Sequence, residues 1–217
     1  MPIISAPVRA QAAARLARLP NPVRLVVFTQ QADCRFCREN RELAEELAGL
    51  SSGISVEVHD LLLDKVQAAA YAVDRVPAVC VAGEHDHGIR FYGVPTGFEF
   101  NSLLSAVEVV AKRDSGLSTE SRQRLSAISG SLDIQVFTTL TCPVCPAVAM
   151  LAHRLAFEHP GTIASVIDSA EFAQLAGLYN VTTVPKTVVN RRHAFDGALP
   201  EDRFVDEVLK GAELPAG

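Results

Sequence analysis

No apolar run in this 217-residue chain approaches the roughly 20 residues that a membrane-spanning helix needs. A cationic excess is lacking too: 20 Lys and Arg face 25 Asp and Glu, the net charge is −5, and the basic residues are scattered. That balance argues against a nucleic-acid partner, whose phosphates call for a clustered basic face. The N-terminus does not show the charged, apolar, small-residue order of a secretory signal. It also has no acid before Asp33 and is rich in Arg and Ala. Transit peptides share that composition, but a similar amphipathic stretch at 118–128 precedes the second half of the chain. Residues 7–19 are therefore expected to be the first helix of the fold. Cysteine is scarce and odd in number: five are present, four of them in two Cys-x-x-Cys pairs. This fits a reducing compartment, and so a cytoplasmic protein, better than a secreted disulfide scaffold.

What the chain does contain is a repeat. Cys34-Arg35-Phe36-Cys37 and Cys142-Pro143-Val144-Cys145 lie 108 residues apart, each after an apolar run ending in Phe-Thr (Phe28-Thr29; Phe137-Thr138). Each first cysteine is followed 43 residues later by the proline of a Val-Pro dipeptide, Val76-Pro77 and Val184-Pro185. Asp60 and Asp168 keep the offset of 108; beyond the prolines it falls to 104, as in Phe91/Phe195 and Phe100/Phe204. Matched blocks separated by small insertions mark a duplication. The polar linker Asp114-Ser115-Gly116 divides it into units 1–115 and 116–217, and an apolar content of 48% suffices to give each its own core.

Apolar periodicity and β-branched runs predict, in unit one, helix 7–19, strand 24–29, helix 35–49, strand 54–60, helix 64–72, strands 77–82 and 88–93, and helix 97–111. Unit two repeats this as helix 118–128, strand 133–138, helix 143–158, strand 162–168, helix 170–179, strands 185–190 and 193–197, and helix 200–210. Asp168 with Glu171 fits a capping box for helix 170–179. In each unit a helical crossover makes the first two strands parallel and a hairpin joins the last two. The expected fold is α/β, with two tandem thioredoxin-fold units, each a central mixed β-sheet flanked by helices.

Two cysteines spaced by two residues, after a strand and opening a helix, form a dithiol/disulfide site. The helix N-terminus favours the thiolate of the first cysteine, and the second, three residues on, shares its face. Cys34 and Cys142 are the expected nucleophiles, and Cys37 and Cys145 the resolving thiols. Arg35 favours the Cys34 thiolate and Asp33 opposes it, whereas Cys142 has no acid beside it, so the second site is expected to be the main reductase. Pro143 suits a first helical turn; Pro146 should remove an early helix hydrogen bond. Val76-Pro77 and Val184-Pro185 are expected to be cis and to offer the Val76 and Val184 backbone to an extended substrate.

Other candidates carry less. The gap between the pairs is too long for a zinc ribbon, and no metal is expected. His85-Asp86-His87 fits a solvated hairpin turn. His153 lies too deep along its helix to serve Cys142 and is expected to pack. Cys80, whose repeat partner is Val188, fills a small apolar slot.

The chain resembles the glutaredoxin-like protein disulfide oxidoreductases, which fuse two thioredoxin-fold units, each with a Cys-x-x-Cys. The resemblance covers nearly the whole chain. It is carried by Thr141-Cys142-Pro143-Val144-Cys145-Pro146, by Tyr179-Asn180-Val181 leading to Val184-Pro185-Lys186, and by Arg90-Phe91-Tyr92-Gly93-Val94-Pro95 with Gly97 and Glu99-Phe100. It implies disulfide reduction, with oxidase and isomerase activity possible, on disulfide-containing proteins, and no cofactor or membrane. The electron donor would be a thioredoxin-reductase-type flavoprotein or glutathione. Val144 replaces the Tyr usual in the glutaredoxin pair. The buried Asp of thioredoxins, six residues before the first cysteine, is here Phe28 or Val136, which leaves the proton acceptor for the resolving thiols open. Two other readings stand beside this one. A glutathione-dependent glutaredoxin matches Thr183-Val184-Pro185 but lacks the basic residue expected before the cysteine. An electron-transfer or docking module would serve a peroxidase or flavoprotein reductase.

Overall fold

A computed structural model describes residues 2–213. Its strands are β1 Val23–Thr29, β2 Ile54–Asp60, β3 Ala78–Ala82, β4 Asp86–Tyr92, β5 Leu132–Thr138, β6 Thr162–Asp168, β7 Lys186–Val189 and β8 His193–Asp196. The helices are α1 Ala6–Leu16, α2 Cys37–Ala48, α3 Lys65–Ala70, α4 Phe100–Lys112, α5 Thr119–Ser126, α6 Cys145–Glu158, α7 Ala173–Leu178 and α8 Glu201–Glu213, with a 3-10 turn at Gly97–Glu99. Every element expected from the repeat is present, with ends displaced by a few residues. The expected first helix forms: Pro7 lies in the first turn of α1 and the helix ends at Leu16, ahead of Pro20. The Ser118 hydroxyl caps α5 by accepting from the Ser121 N–H at 3.1 Å.

Alternation along the strands sends side chains to two faces. Leu25 and Val27 join a cluster with α1, α2 and α4, whereas Val26 and Phe28 pack with Ala68 of α3 and Tyr71. Within each unit the first two strands are parallel and the last two form an antiparallel hairpin, as expected.

The two units do not keep separate sheets. One eight-stranded sheet runs β2-β1-β3-β4-β6-β5-β7-β8, and its join is the parallel pair β4–β6, from Ile89 opposite Ala164 to Tyr92 opposite Ile167. Gly88 permits that approach: its φ is +73°, and a Cβ there would stand 1.9 Å from the Thr162 carbonyl oxygen. Above the join, α4 of the first unit packs on α6 of the second. The expectation of two separate cores is corrected accordingly, since Val107 and Val110 belong to one buried cluster with Val148, Ala152 and Leu155. Two half-covered sheet edges would each leave apolar faces in water; joining them buries both.

The hairpin tip is exposed at His85 and Asp86, as expected of a solvated turn, yet two of its residues also hold buried or half-buried partners. Asp86 is the counter-ion of Arg90, which is 1% exposed and also donates to the Tyr71 carbonyl at 2.9 Å. A buried guanidinium needs such partners. His87 packs on Phe157 of the other unit, ring centroids 4.5 Å apart. His153 is buried, with Nε2 3.2 Å from the Arg90 carbonyl, and burial pushes its pKa down to about 4. Cys80 is fully buried in β3, and its repeat partner Val188 is buried in β7.

Candidate active site

Both cysteine pairs are closed as disulfides, Cys34–Cys37 and Cys142–Cys145, each with Cα atoms 5.5 Å apart. The helices begin later than expected, at Cys37 and Cys145, so each first cysteine stands in the turn ahead of its helix and each second one opens it. The cause is visible at Phe36, whose φ of −118° and ψ of 12° are not helical. This also corrects the reading of Pro146. With α6 starting at Cys145, it falls in the first turn, where no intrahelical hydrogen bond is lost.

The turns present different surroundings to their sulfurs. At the second, the Cys145 N–H donates to Cys142 Sγ at 3.2 Å, so the start of α6 is aimed at that sulfur and would stabilise it as a thiolate on reduction. Cys142 is 7% exposed and Cys145 fully buried. Among the described residues no such bond reaches Cys34, which is half-buried beside an exposed Asp33. The Arg35 guanidinium lies over the Phe36 ring at 4.9 Å.

The Val76-Pro77 and Val184-Pro185 bonds are cis, as expected. Strand register brings each to its disulfide. Phe28 opposes Ala78, so Pro77 stands across from the end of β1, where the chain leaves for Cys34. Phe137 opposes Lys186, which does the same for Pro185 and the end of β5. The Pro77 and Pro185 carbonyls accept from the Gly93 and Gly197 N–H groups at 3.0 and 2.8 Å. Val76 and Val184 are half-buried. Their backbone lies on the rim of each turn, where an extended chain could add to it.

One group escaped sequence reasoning. Glu99 is 2% exposed and neither carboxylate oxygen has a hydrogen-bond partner. Burial pushes its pKa up to about 7, opposed by the neighbouring Ser102 hydroxyl, which lies just short of a well-formed hydrogen bond, and aided by repulsion from Asp168. The 3-10 turn carrying it packs on α6 and is pinned to the second site: the Phe98 N–H donates to the Leu140 carbonyl at 3.1 Å, two residues ahead of Cys142. Gly97 has to be glycine here, since a Cβ would come within 2.5 Å of that same oxygen at a φ of +57°. A carboxyl of the first unit thus shares a small cavity with Thr138 and Leu140, on the segment that leads into Cys142. Its trace in the sequence is a broken repeat, for Arg203 occupies the matching position. Beside Cys37 the comparable buried group is Asn40, fully enclosed, its amide unpartnered and unable to take up a proton.

The expected capping box is absent. Asp168 Oδ1 accepts from the Ala170 N–H at 3.0 Å, and α7 begins only at Ala173. Glu171 turns toward the first unit instead. Burial, then the Asp168 charge, push its pKa up to about 7, while Arg35 pulls it down. Among the described residues no cluster of three or more His, Cys, Asp or Glu could hold a metal, and no helix is long and apolar enough to cross a membrane.

Residues 132–210 match the family model described as thioredoxin domain. Over 96% of its length the chain superposes on the crystal structure of a protein disulfide oxidoreductase from Aeropyrum pernix, covering 94% of that chain at 27% identity with a TM-score of 0.90. It superposes as well on the alkylhydroperoxide reductase AhpF of Enterococcus faecalis, at 25% identity over 94% of this chain and 99% of that one, TM-score 0.87. A Bacillus subtilis protein described as NADH dehydrogenase is 26% identical over 97% of this chain. The chain spans 39% of the length of that relative.

Proposed function

We propose that this chain is a thioredoxin-like protein dithiol–disulfide oxidoreductase with two sites, one in each unit, divided near residue 115. The reduced Cys142 thiolate attacks a substrate disulfide, forming a Cys142–substrate bond and expelling one substrate thiolate. The Cys145 thiol passes its proton to Glu99 and attacks Cys142 Sγ. The second substrate sulfur leaves, and the Cys142–Cys145 disulfide remains. Cys34 and Cys37 work in the same order at the first site. The Val76 and Val184 backbone, beside Pro77 and Pro185, pairs with the extended substrate. The observation that carries the reading is a disulfide at the end of β1 and of β5, each facing its own Val-Pro turn.

The second site carries most of the flux, supported by the helix N–H aimed at Cys142 Sγ and by the buried Glu99. Substrates are disulfide-containing proteins. The electron donor is a flavoprotein of the thioredoxin-reductase type or glutathione, and the setting is the cytoplasm. A second reading, a redox-transfer module serving a peroxidase, is favoured by the likeness to an alkylhydroperoxide reductase. Reduction of insulin by the dithiothreitol-recycled chain tests the first reading. Activity seen only with a peroxidase as acceptor would select the second, and none with either acceptor would overturn both.

A further inference from the structure

A groove of about 220 Å3 opens between the two disulfide turns. Its floor is apolar and comes from both units: Ile3, Phe36, Val94 and Leu140. Phe36 sits inside the first Cys-x-x-Cys, and Leu140 leads into the second. Its rim is acidic, made by Glu39 of α2, Asp168 at the end of β6 and Glu171 ahead of α7. Glu39 Oε2 is buried without a partner, although Oε1 takes a long 3.3 Å bond from exposed Arg38. Arg35 acts on Glu171 from the first turn, but its guanidinium lies over Phe36. A groove with an apolar floor, three carboxylates and an unsatisfied carboxylate oxygen lacks a cation carried on an apolar segment.

We propose that this groove docks the polypeptide flanking the substrate disulfide, and that it selects a segment in which an apolar side chain is followed by Lys or Arg. The apolar side chain lies on Phe36 and Leu140, and the cation meets Glu39 and Glu171. A segment held here stands next to both redox turns, so one docking surface serves two sites. This inference rests on the oxidoreductase reading and supplies its substrate class.

The groups facing Glu171 are Asp168 and Glu39, which raise its pKa, and Arg35, which lowers it. Glu171 therefore gains charge as pH rises through about 7, and preference for a basic segment should sharpen over that range. The test uses the full oxidised chain and labelled peptides in which Ser replaces Cys, so that binding is read without chemistry. The peptides differ only in carrying Leu-Lys or Leu-Glu. The Lys peptide should bind on the order of tenfold tighter at low salt, the preference fading at high salt. Glu171→Lys should reverse the order. Equal affinities for the two peptides, or a preference unmoved by salt, would overturn the proposal even if that variant does not fold. Cystine versions of the same peptides report on the chemistry separately: if they bind with the expected preference but are not reduced, the oxidoreductase reading fails and the groove stands.

Discussion

The Cys142 turn is braced by a buried, carboxyl-bearing turn of the other repeat, whereas the Cys34 turn meets the other repeat only through Glu171 and Leu140 in a surface groove. In the shared sheet the first unit ends against the second, so its 3-10 turn and α4 lie over α6 and bring Glu99 to the second site. The second unit ends in α8, and the position matching Glu99 is Arg203, whose side chain is 71% exposed. Two copies of one fold, joined head to tail, cannot have equivalent surroundings. Access and support also divide between them: Cys34 is the more exposed cysteine, while Cys142 receives the helix N–H and follows Leu140, which lines a cavity with the buried Glu99.

The comparison breaks most directly at the cysteines. Cys142→Ser should remove most protein-disulfide reductase activity, by on the order of tenfold or more, and Cys34→Ser much less. Cys145→Ser should accumulate trapped mixed disulfides, visible on non-reducing gels. Equal losses from the two first-cysteine variants would mean equivalent sites. A complete stop from either would mean a relay between them, and a larger loss from Cys34→Ser would reverse the assignment.

Next in size is the shared core. Leu155→Ala in α6 should cost about 2–5 kcal/mol and lower the stability of both units together, giving one unfolding transition by every probe. Separate transitions, with the first unit unmoved, would show the cores to be independent.

Glu99→Gln should slow resolution at Cys145 by on the order of a hundredfold and leave single turnover at Cys34–Cys37 unchanged. Its pH signature is independent of rate. The folded pKa of Glu99 is raised to about 7 from 4.5, so the neutral carboxyl is favoured by folding. Its contribution is complete below about pH 4.5 and is lost as pH rises through about 7. Denaturant melts of the wild type against Glu99→Gln should diverge over that window; parallel curves would remove Glu99 from the comparison. The smallest effect is expected at Cys80→Val, which copies the twin position Val188 into a slot of similar volume and should leave stability and activity nearly unchanged.

Much of this was legible because duplication writes the same signal twice. The strands, the parallel and hairpin connections and the cis Val-Pro turns followed from β-branched runs and matched spacings. What was not legible depended on the contact between copies. Gly88 is a plain turn glycine until Thr162 is seen against it, and Glu99 is an ordinary helix-start acid until Leu140 and α6 enclose it. Asp168 and Glu171 had capping-box spacing, yet the loop carries Glu171 toward the other unit's α2 and Arg35. Local spacing describes how a residue meets its neighbours along the chain, and these residues act across it.

The replacement of one glycine in the second unit bears on assembly. In the first unit four residues of β4, Ile89–Tyr92, pair with β6, and Gly88 ahead of them lets the Thr162 carbonyl come close. In the second unit the matching four residues form β8, His193–Asp196, but the residue matching Gly88 is Arg192. A free strand at that margin would be a template for another molecule, since its unpaired N–H and C=O groups invite extension. A side chain at the position of Gly88 obstructs the approach that the join uses, and the opposite margin, β2, carries Glu57, His59 and Asp60. The second copy thus lacks the residue that let the first accept a neighbour.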